Sequence, residues 1–283
     1  MSEIKSVGVL GAGTMGHGIA QVAAQAGYQT LLYDVTSELA QRGLQRISEN
    51  LQRGIEKGKV KQQDKEQILK RLKAVADLPE LAECGLIIEA IPEDLALKRS
   101  IFTRLSEVCS PRTILASNTS SLSVSEIAAA ASHPERVVGM HFFNPVHIMR
   151  LLEIVRAEPT SDATIETVRG VAGRLGKETI VVRDRPGFAS SRLGLALGLE
   201  AIRMVEQGVA SPEDIDRAME LGYGYPMGPL KLGDLVGLDV RLAIAEYLHR
   251  ELRSEVFRPP QLLKDMVSAG KLGRKSGQGF YKY

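Results

Sequence analysis

The sequence predicts an α/β fold, a doubly wound and mostly parallel sheet, followed by a smaller all-helical domain. Three observations carry that expectation. Through residue 182, short β-branched or Leu-rich runs alternate with segments of helical length. At Arg183-Asp184-Arg185-Pro186-Gly187-Phe188, Pro and Gly punctuate the pattern. Beyond that point strand signals stop and the chain reads as successive helices. The expected division is residues 1–185 and 186–283.

Strands are expected at 6–10 (SVGVL), 30–34 (TLLYD), 86–90 (LIIEA), 113–117 (TILAS), 136–140 (RVVGM), 151–155 (LLEIV) and 179–182 (TIVV). Gly27 has the position of a helix-ending glycine, and Ser123-Val124-Ser125-Glu126 has the form of a capping box. Residues 35–73 depart from the alternation. They form one long polar stretch with apolar positions at Leu39, Leu44, Ile47, Leu51 and Ile55, which predicts a helical hairpin interrupted near Gly58. After the break, helices are expected over 188–207, 211–221, 229–253 and 260–269. Ser211-Pro212 and Gly228-Pro229 serve as starts. The tail, GQGFYKY, is too short and Gly-rich for another.

The composition excludes several classes. Over 283 residues, 44% apolar and 25% charged residues describe a folded globular chain rather than a disordered one. No apolar run approaches the roughly 18 residues that span a bilayer. The opening MSEIKSVGVLG lacks the order of a secretory leader, so a cytoplasmic protein is expected. Cys84 and Cys109 form no C-x-x-C pair, which offers neither a disulfide framework nor a metal site. Cys84, beside a buried strand pattern, reads as an inert core thiol. A net charge of +2 gives no reason to expect nucleic acid as a partner.

GAGTMG places Gly11, Gly13 and Gly16 in G-x-G-x-x-G spacing between a strand and an apolar helix. The first glycine permits a tight turn, the second lets backbone approach a pyrophosphate, and the third allows close packing of helix on strand. The helix N-terminus then faces the anion. Thr14 and Met15 belong to the same loop-to-helix segment and join the cofactor-binding candidates. Asp34, ending the next strand, is placed to accept hydrogen bonds from ribose hydroxyls and to repel a 2′-phosphate. The reading is a Rossmann-like domain that takes NAD rather than NADP.

The stretch GMHFFNPVHIMRLLEIV puts His141 at the end of one strand and Glu153 within the next. A strand–turn–strand path brings two such side chains face to face. A carboxylate on one imidazole nitrogen fixes the tautomer and supports the imidazolium formed when the other nitrogen takes a proton. By spacing alone this is either a catalytic pair or a structural polar pair. His147 is the rival base. His17, His133 and His249 read as structural or solvated. Arg53, Lys57, Lys59 and Lys61 make the hairpin basic, as a docking site for an anion or as an ordinary solvated face.

These segments together resemble the L-3-hydroxyacyl-CoA dehydrogenase family, in its short, single-function bacterial form that acts on 3-hydroxybutyryl-CoA. The resemblance runs through GAGTMGHGIA, IIEAIPEDLALK, ASNTSSL, GMHFFNP, LLEIV, RDRPGF, MGPLKLGDLVGLD and KSGQGFYKY, nearly the whole chain. It implies that His141 is the general base, Glu153 its partner, and Ser120 the donor to the substrate's 3-oxygen. It implies Asn144 at the nicotinamide, Glu93 and Lys98 at the nicotinamide riboside, Lys275 near the cofactor, and Asn50 with Lys57 at the acyl-CoA. It also implies a homodimer through residues 188–283. That fits the apolar runs LGLALGLEAIRMV and LVGLDVRLAIAEYL, which are extensive for so small a domain.

One departure stands out. Where the family commonly has Asn after PGF, this chain reads GFASSRL, with Ser191 before Arg192. Ser191 is kept as a catalytic candidate, with a shorter side chain that cannot donate and accept through separate atoms. Two rivals share the cofactor site. One is an L-gulonate 3-dehydrogenase-like enzyme acting on a free hydroxy acid. The other is a non-catalytic NAD-binding or crystallin-like protein.

Overall fold

The structure is a computed structural model that describes residues 4–283. It divides into two compact units, the first ending at Asp184 and the second running from Arg185 to Tyr283.

The first unit begins with β1 (Ser6–Leu10), α1 (Thr14–Gln25) and β2 (Gln29–Tyr33). The hairpin follows as α2 (Ser37–Glu56) and α3 (Gln62–Lys70), and leads into β3 (Leu72–Val75). Next come β4 (Leu86–Glu89), α4 (Leu95–Val108), β5 (Ile114–Ser117) and the short α5 (Val124–Ala128). The unit closes with β6 (Val137–Phe142), β7 (Leu151–Arg156), α6 (Asp162–Arg174) and β8 (Glu178–Arg183).

These strands make one sheet in the order β3-β2-β1-β4-β5-β6-β7-β8. Pairs from β3 to β6 are parallel, β6–β7 is antiparallel, and β7–β8 is parallel. Every residue of β4, β5 and β6 is buried. Strands covered by helices on both faces need continuous apolar runs, and LIIE, ILAS and VVGMHF largely supply them. Glu89, Ser117 and His141 are the polar exceptions, each near the carboxyl end of its strand, where an open α/β sheet places its ligands.

The hairpin packs as its periodicity requires. Ala40, Gly43, Ile47 and Leu51 are the buried residues of α2, spaced three or four apart on one face. Its end needs a correction. The expected helical stretch reached 73, yet residues 72–75 form β3 and pair in parallel with β2. Four residues, LKAV, carry too little pattern to separate strand from helix, and pairing with an exposed sheet edge decides the matter.

The second unit is built from α7 (Ser190–Glu206), α8 (Pro212–Tyr223), α9 (Pro229–Val236), α10 (Leu238–Leu252) and α11 (Gln261–Ser268). The single helix expected over 229–253 is therefore two. Gly237 adopts φ +107° between them, which no helix accommodates and which side-chain-bearing residues rarely adopt. Buried aspartates tie this unit together. Asp216 accepts from the Leu230 and Lys231 amides at the start of α9, at 2.8 and 3.0 Å, and so satisfies N–H groups that lack a helical partner. Asp234 accepts from the Phe280 and Tyr281 amides at 3.0 and 2.9 Å and fastens the chain's tail. Among the described residues no helix is long and apolar enough to cross a membrane.

Candidate active site

The carboxyl ends of β1, β2, β4, β5 and β6 share one edge of the sheet and carry nearly all the polar candidates of this unit. At β1 the glycine loop is shaped for a close approach. Gly11 has φ +90°, and an added Cβ on Gly16 would lie 1.6 Å from the Gly11 carbonyl oxygen. A Cβ on Gly13, by contrast, would meet nothing within 4 Å. Backbone thus faces open space at the position where a pyrophosphate would be received, and α1 begins one residue later. Asp34 Oδ2 accepts from the Ala12 amide at 2.8 Å, so the carboxylate that ends the β2 segment is held against this loop. These residues fit a dinucleotide. His17, set aside as structural, donates from Nδ1 to the Gly13 carbonyl at 2.6 Å. Burial, the largest influence, lowers its pKa; the Gly13 hydrogen bond opposes this in part, and the positive charge of Arg46 adds to the lowering.

At β6 and β7 the register sets His141 directly opposite Glu153. Nδ1 of His141 lies 2.8 Å from Glu153 Oε2, with the histidine 7% exposed and the glutamate fully buried. The carboxylate accepts, so the proton of a neutral ring sits on Nδ1 and proton exchange falls to Nε2. Phe143 packs at 4.5 Å between ring centroids, tilted by 47°. The Phe142 amide donates to Asn118 Oδ1 at 2.9 Å, which ties the end of β6 to the loop after β5. His147 lies in a different environment. Burial lowers its pKa most, and the charges acting on it, from Lys177, His17 and Arg53, are all cationic.

Between these two ends lies a cluster in which the expected site residues Glu93, Lys98 and Ser120 are joined by Glu89, Ser117 and Thr119, which the sequence motifs did not single out. Glu89, buried at the end of β4, receives the Lys98 ammonium at 2.6 Å, the Ser117 hydroxyl at 2.6 Å and the Ile91 amide at 2.8 Å. Lys98 is 1% exposed and also lies 3.3 Å from Glu93. Glu93 in turn accepts from Thr119 Oγ1 at 2.6 Å and from the Ser120 amide at 3.0 Å. Burial is the strongest single influence on Glu93 and pushes its pKa up. Lys98 and the hydrogen bonds from Thr119 and Ser120 together outweigh it and hold the carboxyl below its usual range. The signal in the sequence was a carboxylate ending an otherwise apolar strand, LIIE, with Lys98 nine residues on.

The remaining candidates are dispersed. Asn144 is exposed in the turn after β6 and precedes a cis bond to Pro145. Asn50 lies on α2 and accepts from Arg53, and Lys57 caps the exposed end of that helix. Seven residues apart, Asn50 and Lys57 fall on one helical face. Ser191 and Lys275 belong to the second unit. Ser191 is in the first turn of α7, and the Lys275 ammonium sits 2.6 Å from the Asp239 carboxylate. Cys84 is buried and burial pushes its thiol up to about 12, in keeping with an inert core residue.

A dinucleotide loop, a His–Glu pair on the same sheet and a helical second unit define a class of two-domain oxidoreductase. Comparison with known proteins agrees. Residues 6–185 match the NAD binding domain of 3-hydroxyacyl-CoA dehydrogenase, and residues 187–283 match the C-terminal domain of the same enzyme. A probable 3-hydroxybutyryl-CoA dehydrogenase of Bacillus subtilis is 48% identical over 99% of this chain and 98% of its own length. The 3-hydroxybutyryl-CoA dehydrogenase of Bradyrhizobium diazoefficiens is 45% identical over 99% and 96%. The crystal structure of (S)-3-hydroxybutyryl-CoA dehydrogenase from Ralstonia eutropha superimposes with a TM-score of 0.96 at 41% identity, covering 99% of both chains. The chain belongs to the 3-hydroxyacyl-CoA dehydrogenase family, and NAD is its cofactor.

Proposed function

We propose that the protein interconverts (S)-3-hydroxyacyl-CoA and 3-oxoacyl-CoA, with 3-hydroxybutyryl-CoA as the favoured substrate, in the cytoplasm. The observation that carries the chemistry is the buried 2.8 Å contact between His141 and Glu153 at the carboxyl edge of the sheet. NAD, when bound, would supply the acceptor for the hydride at C3 of the hydroxyacyl group, and its reduced form the donor. His141 Nε2 removes the proton of the 3-hydroxyl in oxidation and gives it back in reduction. Glu153 stabilises the imidazolium formed in between. Ser120, on the turn gathered by Glu93, donates to the 3-oxygen as negative charge develops there. Ser191, where the family commonly has Asn, is the remaining catalytic candidate through its hydroxyl. Gly11, Gly13, Thr14, Met15 and Gly16 receive the pyrophosphate, and Asp34 the adenosine ribose. Asn144 and Glu93 serve the nicotinamide half, Lys98 acts on it through Glu93, and Lys275 approaches the cofactor. Asn50 and Lys57 take the nucleotide end of coenzyme A.

One steady-state assay separates these assignments. Acetoacetyl-CoA is expected to be reduced with much higher kcat/KM than free acetoacetate, and with NADH in preference to NADPH. Lys57→Ala is expected to raise KM for acetoacetyl-CoA at low ionic strength with kcat nearly unchanged, as loss of uniform binding requires. Equal use of the free acid would favour the hydroxy-acid reading, and equal use of NADPH would remove Asp34 from cofactor selection.

We further propose a homodimer formed through the second unit. Leu193, Leu221, Tyr223, Leu235 and Val240 of its helices stay exposed, Leu221 and Tyr223 by 74% and 77%. Large apolar side chains concentrated on one small helical unit are the mark of an interaction surface. Sedimentation equilibrium at micromolar protein should give twice the 30.8 kDa chain mass. A monomer with full activity would remove the dimer from the proposal.

A further inference from the structure

The cluster between the cofactor loop and the His–Glu pair is electrically unbalanced. It contains two carboxylates, Glu89 and Glu93, and one ammonium, Lys98, which contacts both. The other partners given by the Ser117 hydroxyl, the Ile91 amide, the Thr119 hydroxyl and the Ser120 amide are neutral donors. They satisfy carboxylate oxygens and leave the cluster with one net negative charge. Lys98 and Glu89 are sealed from solvent, while Glu93 keeps 37% of its side chain exposed and is the member that faces outward.

Sheet order places that charge relative to the cofactor. The glycine loop follows β1 and Asp34 follows β2, so the adenosine half belongs over β1 and β2. The strand order reverses at β1, where β4 continues the sheet toward β5 and β6. A dinucleotide lying across this switch point carries its second half over β4 and β5, in the direction of His141 on β6. Glu93, in the loop after β4 and bonded to the turn after β5, lies on that path. The oxidised nicotinamide is a cation and the reduced ring is neutral. A fixed negative charge in a partly desolvated site therefore acts on one redox form and not on the other.

We infer that Glu93, backed by the Glu89–Lys98 pair, is the counter-charge of the oxidised ring and biases the site toward NAD⁺ relative to NADH. The inference rests on the family's NAD reading and adds a redox preference to it. A purely structural role makes a different forecast. Glu93 also holds the 119–121 turn, and loosening that turn would weaken both forms of the cofactor by the same factor. The ratio of the two dissociation constants separates the cases.

The test measures Kd for NADH through the cofactor's own fluorescence and Kd for NAD⁺ by calorimetry. Glu93→Gln is expected to raise Kd(NAD⁺)/Kd(NADH) by about tenfold, partial exposure having screened a larger Coulomb effect. Glu93→Asp keeps the charge and should leave the ratio near the wild-type value even where both constants rise. The wild-type protein supplies an arm that needs no variant. Its ratio should climb as salt rises toward ~1 M, because the phosphate charges common to both forms cancel in the ratio. An unchanged ratio in Glu93→Gln, or a ratio indifferent to salt, overturns the inference. Wild-type protein that binds neither form would overturn the cofactor reading itself, a distinct result.

Discussion

Replacing His141 by Gln is expected to lower kcat by ~10²–10⁴-fold while NADH still binds, because the loss falls on proton transfer and not on the cofactor loop. The amide of Gln can meet Glu153 but offers no basic nitrogen to take up a proton. Glu153→Gln should also slow turnover. It replaces a buried carboxylate, set 2.8 Å from Nδ1, by a neutral group that cannot balance an imidazolium. The pair is measured by steady-state kinetics beside NADH titration of each variant. His147→Gln is the internal control: its surroundings are cationic and disfavour the protonated ring. If His147→Gln abolished turnover and His141→Gln left it intact, the assignment of the base would be reversed.

The second large effect is on stability. Lys98→Met removes the ammonium from between Glu89 and Glu93 and leaves Glu89 buried without this ion-pair partner. Removing one member of a buried ion pair typically destabilises by about 3–5 kcal/mol. The expected result is a clear fall in the urea midpoint of the variant. Adding Glu89→Gln to Lys98→Met should recover part of the loss, since an amide costs less to bury than an unpaired carboxylate. A Lys98→Met protein that unfolds like wild type would show that the pair contributes little, whatever its burial. The result also bears on how Lys98 serves the cofactor. Its side chain is 1% exposed and bonded to two carboxylates, which is the basis for the proposal that it acts on the cofactor through Glu93.

Much of the fold could be read from contiguous residues. The seven expected strands all lie in the sheet, within a residue or two at their ends, because each is a run of β-branched or Leu-rich residues bounded by turn chemistry. Ser211-Pro212 and Gly228-Pro229 open α8 and α9 where a Pro in the first turn should. The two misreadings were local patterns without tertiary context. LKAV suits a helix end as well as an edge strand, and β2 supplied the partner that settled it. The 229–253 run is apolar enough for one long helix. Gly237 reads as a tolerable interior glycine until the Leu238 amide is seen to bond the Leu272 carbonyl at 3.2 Å.

The candidate site divides along the same line. By itself the sequence determined the class of fold, the glycine loop with an acidic residue ending the next strand, and a His and a Glu twelve residues apart in neighbouring strands. Each is a matter of spacing along a short segment, where glycine tolerance and the two-residue strand period act directly. Only the tertiary structure decided that His141 faces Glu153, which is a consequence of antiparallel register, and that Nδ1 is the nitrogen that meets the carboxylate. It alone decided that Lys98 turns inward to Glu89, that Ser117 closes the other oxygen, and that Glu93 gathers the turn bearing Ser120. Those partners come from β4, β5, α4 and the loops that follow the two strands, up to 28 residues apart. A long charged side chain has many rotamers, and its direction is set by the low-dielectric interior and the counter-charge the sheet order brings to it, neither of which is written in its neighbours along the chain.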